Sequence, residues 1–152
     1  MSHQSSEREF LRYGVLKLRP ILAPAGFMYF SGEVAVSSGG PFATATFRRR
    51  NLEIGLIVRD RDSLGCPSYF EGDGYAGHSD LIEALGMKGK AHLVPGDQVA
   101  YRSADGGDPF DALLADLQEV ILPALERSHA AFSSAIVRAH AKWLDQLHGY
   151  TA

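Results

Sequence analysis

Phe110, Leu113, Leu114, Leu117, Ile121, Leu125, Phe132, Ile136, Trp143 and Leu147 recur at helical spacing, and this stripe constrains the fold more than any other feature of the chain. An apolar face of that length has to be buried against something. Asp108-Pro109 marks its start, with a capping carboxylate placed before a proline at the first helical position. Pro123 lies inside the pattern and predicts a kink, or two consecutive helices meeting near Leu122.

The surface such helices need is supplied by the stretch from Gly26 to Arg61, where the period changes to two. Leu52, Ile54, Leu56 and Val58 alternate with Glu53, Gly55, Ile57 and Arg59. Turn signals at Ser31-Gly32, Gly39-Gly40-Pro41 and Arg49 to Asn51 divide this region into an antiparallel meander. Cys66 to Glu71 reads as one more strand, which Pro67 restricts to an edge or to its first residues.

Ahead of the strands, Ser6-Glu7-Arg8-Glu9 is a capping box, and Leu11, Val15, Leu18 and Leu22 form the apolar face of a helix that Pro20 kinks or ends. Behind them, His78 to Leu85 makes two turns of helix, capped by Ser79 and stopped by Gly86. "AHLVPGD" and "RSADGG" read as loops. The expected fold is α+β: an antiparallel β-meander of about four to six strands, with an N-terminal helix and long C-terminal helices packed on one face. Residues 1–152 form a single domain in this reading, with about five residues at the start and four at the end disordered.

Composition narrows the function classes. A formal net charge of −3 over 152 residues gives no long-range attraction to nucleic acid or anionic lipid, so neither is expected as a partner. A single cysteine, Cys66, excludes an intrachain disulfide and a four-cysteine zinc site. No apolar run is long enough to span a bilayer and "MSHQSSEREF" is not a secretory leader, so a cytoplasmic location is expected.

Two motifs imitate ligand sites. Gly72, Gly74 and Gly77 have the G-x-G-x-x-G spacing, with Asp97 placed where an acid would meet a ribose hydroxyl. The flanking segments are wrong for a dinucleotide turn: the strand before it carries Pro67, Ser68 and Glu71, and the helix after it is short. The glycines therefore read as turn residues free to adopt positive φ. "DRDSLGCPSYFE" places Asp60, Asp62, Gly65 and Glu71 as in a calcium loop, but Leu64 occupies a ligand position and strands flank it. No nucleophile elbow, phosphate loop or H-E-x-x-H motif occurs, and no cofactor or metal is expected.

The histidines at 3, 78, 92, 129, 140 and 148 lack metal-ligand spacing, and those at 129, 140 and 148 read as solvated helix residues. His78 differs because it enters a helix beside a loop containing Asp73 and Tyr75. Cys66 reads as inert without a base placed beside it. Arg48, Arg49 and Arg50 form the one dense basic patch, able to meet phosphate or an acidic protein surface, or simply to solvate a hairpin tip. Asp105, Asp108, Asp111 and Asp116 read as an acidic belt serving a helix start and its dipole.

Segments from Gly26-Phe27 through "GPFATATFRRRNLEIGLIVRD", at "SLGCPSYFEGDGYAGHSDLIEALG" and at "DPFDALLADLQEVILPAL" resemble a group of small uncharacterised bacterial proteins, over about two thirds of the length. Those proteins share a hairpin-rich sheet, a Leu-Gly followed by a tyrosine and a glycine, and a His-Ser or Ser-His pair entering a short helix. Here the tyrosine is Tyr69 and the pair is His78-Ser79. The resemblance implies a bacterial cytosolic protein and transfers no catalytic residue. By architecture alone the chain is also similar to immunity proteins that neutralise toxins.

The function expected from the sequence is a non-enzymatic binding domain for a protein partner, with contacts from His78, Asp73, Tyr75, Tyr69, Arg48, Arg49 and Arg50. The alternative is a small-molecule protein or enzyme using a cleft near Tyr69, Tyr75 and His78. The apolar positions of the C-terminal helices could also serve a homodimer.

Overall fold

The computed structural model describes residues 5–96 and 100–151, and only the backbone of residues 148–151. His3, Asp97, the side chain of His148 and most of the termini expected to be disordered lie outside the described residues.

Helix α1 spans Ser6–Leu22. Its cap is Ser5, whose hydroxyl accepts the Arg8 N–H at 3.0 Å, so the capping box expected at Ser6 is displaced by one residue. That register puts Glu7 in the first turn, where its buried carboxylate accepts the Arg61 N–H at 2.6 Å. Pro20 is accommodated in the final turn and the helix ends two residues later.

The sheet is an antiparallel meander with strand order β1-β2-β3-β5-β6, built from β1 (Met28–Ser37), β2 (Gly40–Arg49), β3 (Leu52–Arg59), β5 (Ser68–Glu71) and β6 (Gly74–Gly77). The short strand β4 (Ser63–Leu64) pairs with the end of β3. The turn expected at Ser31-Gly32 is instead a bulge inside β1, opposite Thr44. A Cβ on Gly32 would overlap the Thr44 hydroxyl and lie 2.6 Å from its carbonyl oxygen, so glycine permits the close approach there. β5 lies inside the sheet, and Pro67 immediately precedes it, where its missing N–H costs no ladder bond.

Cross-strand register explains the two faces. Tyr29, Phe47, Ile54, Tyr69 and Ala76 form one row across all five strands, and the last four are buried beneath the helices. Met28, Arg48, Glu53, Phe70 and Tyr75 form the row on the opposite face, which carries no helix-side core. Each large side chain buried on the helix side contributes about 1.5–3 kcal/mol.

Helix α2 (His78–Ala84) begins at Gly77, with no side-chain cap. Ser79 is therefore inside the helix rather than capping it. Gly86, at φ 82°, terminates this segment as expected. The stretches read as loops pair into a separate two-stranded sheet, β7 (Leu93–Pro95) with β8 (Tyr101–Ser103), too short to produce an alternating pattern.

Asp108 caps α3 (Pro109–Asp116) by accepting the Phe110 N–H at 2.8 Å. The chain continues through a π-helical segment, Leu117–Ile121, into α4 (Leu122–Arg127). Pro123 falls in the first turn of α4, so the π-helical segment and α4 meet at Leu122 as expected, and a further break, into the last helix, occurs at Ser128. Ser128 is extended, at φ −161°, and its hydroxyl accepts the Ala131 N–H at the start of α5 (His129–Thr151).

α1 packs against β2 and β3 and, to a lesser extent, β1, while α5 packs against β6 and β5. One sheet edge is thus covered by a helix. β1, at the other edge, bonds only to β2 among the described residues.

Candidate functional site

The hairpin of β5 and β6 carries the glycine motif. Gly72 has φ 57° in the turn, as the turn reading expects, whereas Gly74 and Gly77 sit in the strand for lack of room. A Cβ on Gly74 would lie 3.0 Å from an Ile136 methyl carbon, and one on Gly77 would lie 3.1 Å from Cys66 Sγ. The antiparallel pairing is not the parallel strand and long helix that cradle a pyrophosphate.

The same hairpin delivers Tyr69 and His78 to the interior, where both are fully buried. The Tyr69 hydroxyl lies 2.9 Å from His78 Nδ1, and His78 Nε2 lies 2.8 Å from Asp116 Oδ2. One tautomer satisfies both bonds: the phenol donates to Nδ1 and Nε2–H donates to the carboxylate. Desolvation pushes the Tyr69 phenol well above its usual range, with the Asp116 charge adding to it, so the hydroxyl remains a donor.

Asp116 also accepts the backbone N–H groups of His92 at 2.7 Å and Leu93 at 3.0 Å. Burial works to raise its pKa, but these hydrogen bonds and the one from His78 outweigh it and hold the carboxyl below its ordinary value. Asp116 is accordingly a buried tie between α2, α3 and β7, and not a member of an acidic belt serving a helix start. Asp108 caps α3 and meets Tyr13, and Asp111 pairs with Lys17.

Burial removes His78 and Tyr69 from the accessible surface, so neither can touch a partner while the fold is closed. Tyr75 is half-buried between Phe70 and Trp143, with ring centroids 5.2 Å from each. Asp73 is exposed at the hairpin turn. Beside the hairpin, burial raises the Cys66 thiol, opposed by hydrogen bonds to Tyr101 and the His78 amide, and Tyr101 also contacts Ser79 at 3.3 Å.

The arginine triplet does not act as one patch. Arg48 pairs with Glu53 at 2.6 Å and stands over the Phe30 ring, Arg49 is half-buried on the other face, and Arg50 holds φ 54° in the turn. Glu71, a ligand position in the calcium-loop reading, instead lies 2.7 Å from His129 Nε2. His129 is thus tied to the sheet, unlike the solvated residue expected. Among the described residues no group of three or more His, Cys, Asp or Glu side chains is placed to hold a metal ion. No helix there is long and apolar enough to cross a membrane.

The feature sequence reasoning missed is β1. Nine of its ten residues are exposed, including Met28 at 66%, Val34 at 50% and Val36 at 75%. β-branched and aromatic residues favour strand formation whether or not a helix covers them, so the alternation of this segment gave no sign of which strands would be covered. Beside it, α1 exposes Leu16. Compared with known family models, curated proteins and solved structures, the chain matches none, so its resemblance to small bacterial proteins rests on the quoted segments alone.

Proposed function

We propose that this chain is a protein-binding module whose contact surface is the free edge of β1 and the side chains flanking it. The observation that carries this reading is a ten-residue edge strand with apolar side chains exposed on both its faces. A free edge offers a row of unpaired N–H and C=O groups to another chain, and proteins commonly guard such edges with lysine, proline or a covering helix. β6 is guarded by α5. β1 contains no lysine or proline, and Glu33 at the bulge is its single charge.

Of the contact residues expected from the sequence, Arg48 adjoins this surface through Phe30. Asp73 belongs to the opposite end of the strand order, about 19 Å away at four inter-strand spacings. The small-molecule alternative draws no support from Tyr69 and His78, whose polar atoms are already engaged with each other and with Asp116. A cytoplasmic setting accords with the single, half-buried Cys66.

A random peptide-display selection against the immobilised chain tests the proposal, with the Phe30→Lys/Val34→Lys double variant as counter-target. Peptides enriched on wild type and lost on the variant are expected. Equal enrichment on both, or none on either, overturns the assignment to β1.

A further inference from the structure

Between α1 and β1 lies a groove of about 510 Å³, walled by Val15 and Leu16 on one side and by Tyr29 and Val34 on the other, with Ala43 in its floor. Its rim is basic. Arg8, Arg12, Leu16 and Arg19 follow one another at spacings of four, four and three, so they share one stripe of α1, and all four are exposed. Among the described residues none of these three arginines is in an ion pair. Arg19 stands over the Tyr29 ring at 5.5 Å, leaving its guanidinium edge available to an acceptor. The acidic residues on these two elements are Glu7, which is buried against the Arg61 amide, Glu9 and Glu33.

We infer that the groove receives an extended acidic segment of a partner protein, added to β1 as the next strand, with carboxylates at alternate positions facing α1 and apolar residues between them. This assignment rests on the binding reading above and names the partner's chemistry. An added strand presents successive side chains to opposite faces. Those on the helix side meet the arginine stripe, where carboxylate pairing can be bidentate, and those on the open side meet Met28 and Phe30. Arg8 to Arg19 covers about 16 Å of helix, the reach of about five extended residues.

A second copy of the chain fits this surface less well. Two-fold pairing of β1 with β1 sets one arginine rim against the other, and the like charges oppose closure. A nucleic acid offers phosphates for the arginines, but no peptide backbone to complete the ladder of β1.

The test uses the full chain and a fluorescein-labelled octapeptide alternating glutamate with valine. The controls are its lysine-for-glutamate counterpart, its serine-for-glutamate counterpart and a peptide of the same composition with the glutamates grouped at one end. Anisotropy titration is expected to show the alternating acidic peptide binding at least about tenfold tighter than every control, and weakening as salt rises. Amide exchange should slow along β1, and Arg12→Glu/Arg19→Glu, both at exposed positions, should abolish the preference while circular dichroism stays unchanged.

If the lysine or serine peptide slows exchange in β1 as well as the acidic one does, the acidic assignment falls and the binding module stands. If no peptide binds and β1 exchange is unaltered, both fall. Displacement of the acidic peptide by a single-stranded oligonucleotide of higher affinity, or dimerisation that occludes β1, also overturns the assignment.

Discussion

His78 and Asp116, thirty-eight residues apart in sequence, meet at 2.8 Å with both side chains fully buried. The contact fastens the short helix α2 to the end of α3, and the same carboxylate takes the two amides that begin β7. Neither α2, with seven residues, nor the three-residue strand β7 is long enough to persist alone. Their placement therefore depends on Asp116. Asp116→Ala strands a buried imidazole N–H and two backbone donors, and a loss of about 3–5 kcal/mol is expected, read as a lower urea midpoint. Tyr69→Phe removes one neutral hydrogen bond and should cost about 1 kcal/mol. A smaller effect for Asp116→Ala than for Tyr69→Phe would show that the carboxylate is not the organising member.

Acid should unfold the protein through the same group. Although burial opposes it, the Asp116 carboxyl lies below its ordinary value of 3.8 because of its hydrogen bonds, and so do Asp108 and Glu71 relative to theirs. A carboxyl depressed in the folded state contributes stability that is present above its unfolded pKa and is lost as pH falls through its folded pKa. Chemical denaturation repeated downward from pH 5 should therefore show the urea midpoint falling below pH about 4, with a shallower fall for Asp116→Asn. An identical acid limb in that variant would assign the pH dependence to other carboxyls.

Much of the architecture was legible because the signals were local. Asp108 before Pro109 marked a helix start, and the alternation of Leu52, Ile54, Leu56 and Val58 marked a strand with one buried face. What failed depended on distant partners. Gly32 read as a turn because sequence does not show Thr44 lying across from it, and Asp116 read as part of a belt serving a helix start because its partners, His78 and the His92 and Leu93 amides, lie in two other segments. β7 and β8 pair through three residues each, fewer than a periodic pattern requires. The exposure of β1 was invisible for a related reason: its composition suits a strand, and only the placement of α1 and α5 decides which edge stays open.

Cys66 should be a slow nucleophile. Burial raises its thiol pKa, and the opposing hydrogen bond from Tyr101 reduces that rise. Alkylation by iodoacetamide at pH 8 is expected to be slower in the folded chain than in urea, and slower still in Tyr101→Phe. Faster modification of the folded protein would reveal an activated thiolate and reopen a catalytic reading of this cluster.

Gly14 faces the Phe110 ring so closely that a Cβ would overlap it. This is where α1 rests on α3, and the contact admits no extra atom. Gly14→Ala should destabilise by about 1–3 kcal/mol despite alanine's better helix propensity. Phe110→Leu should cost stability alone yet recover part of the loss in the double variant, giving a coupling of about 1 kcal/mol in a thermodynamic cycle. Strict additivity would place the strain elsewhere.

The apolar residues of β1 invite the opposite expectation. Val36 is 75% exposed and Met28 66%, so little of their surface leaves water on folding and each contributes little hydrophobic stabilisation. Met28→Lys and Val36→Lys should then shift stability by no more than about 0.5 kcal/mol, measured as the urea midpoint. The same substitutions add charge to an open sheet edge and should reduce any self-association seen by light scattering at high concentration. If the substitutions instead cost more than about 1 kcal/mol, these side chains would be serving the fold itself. The case for an external partner at β1 would lose its physical basis, because an exposed apolar strand that does nothing for folding is what leaves room for burial against another chain.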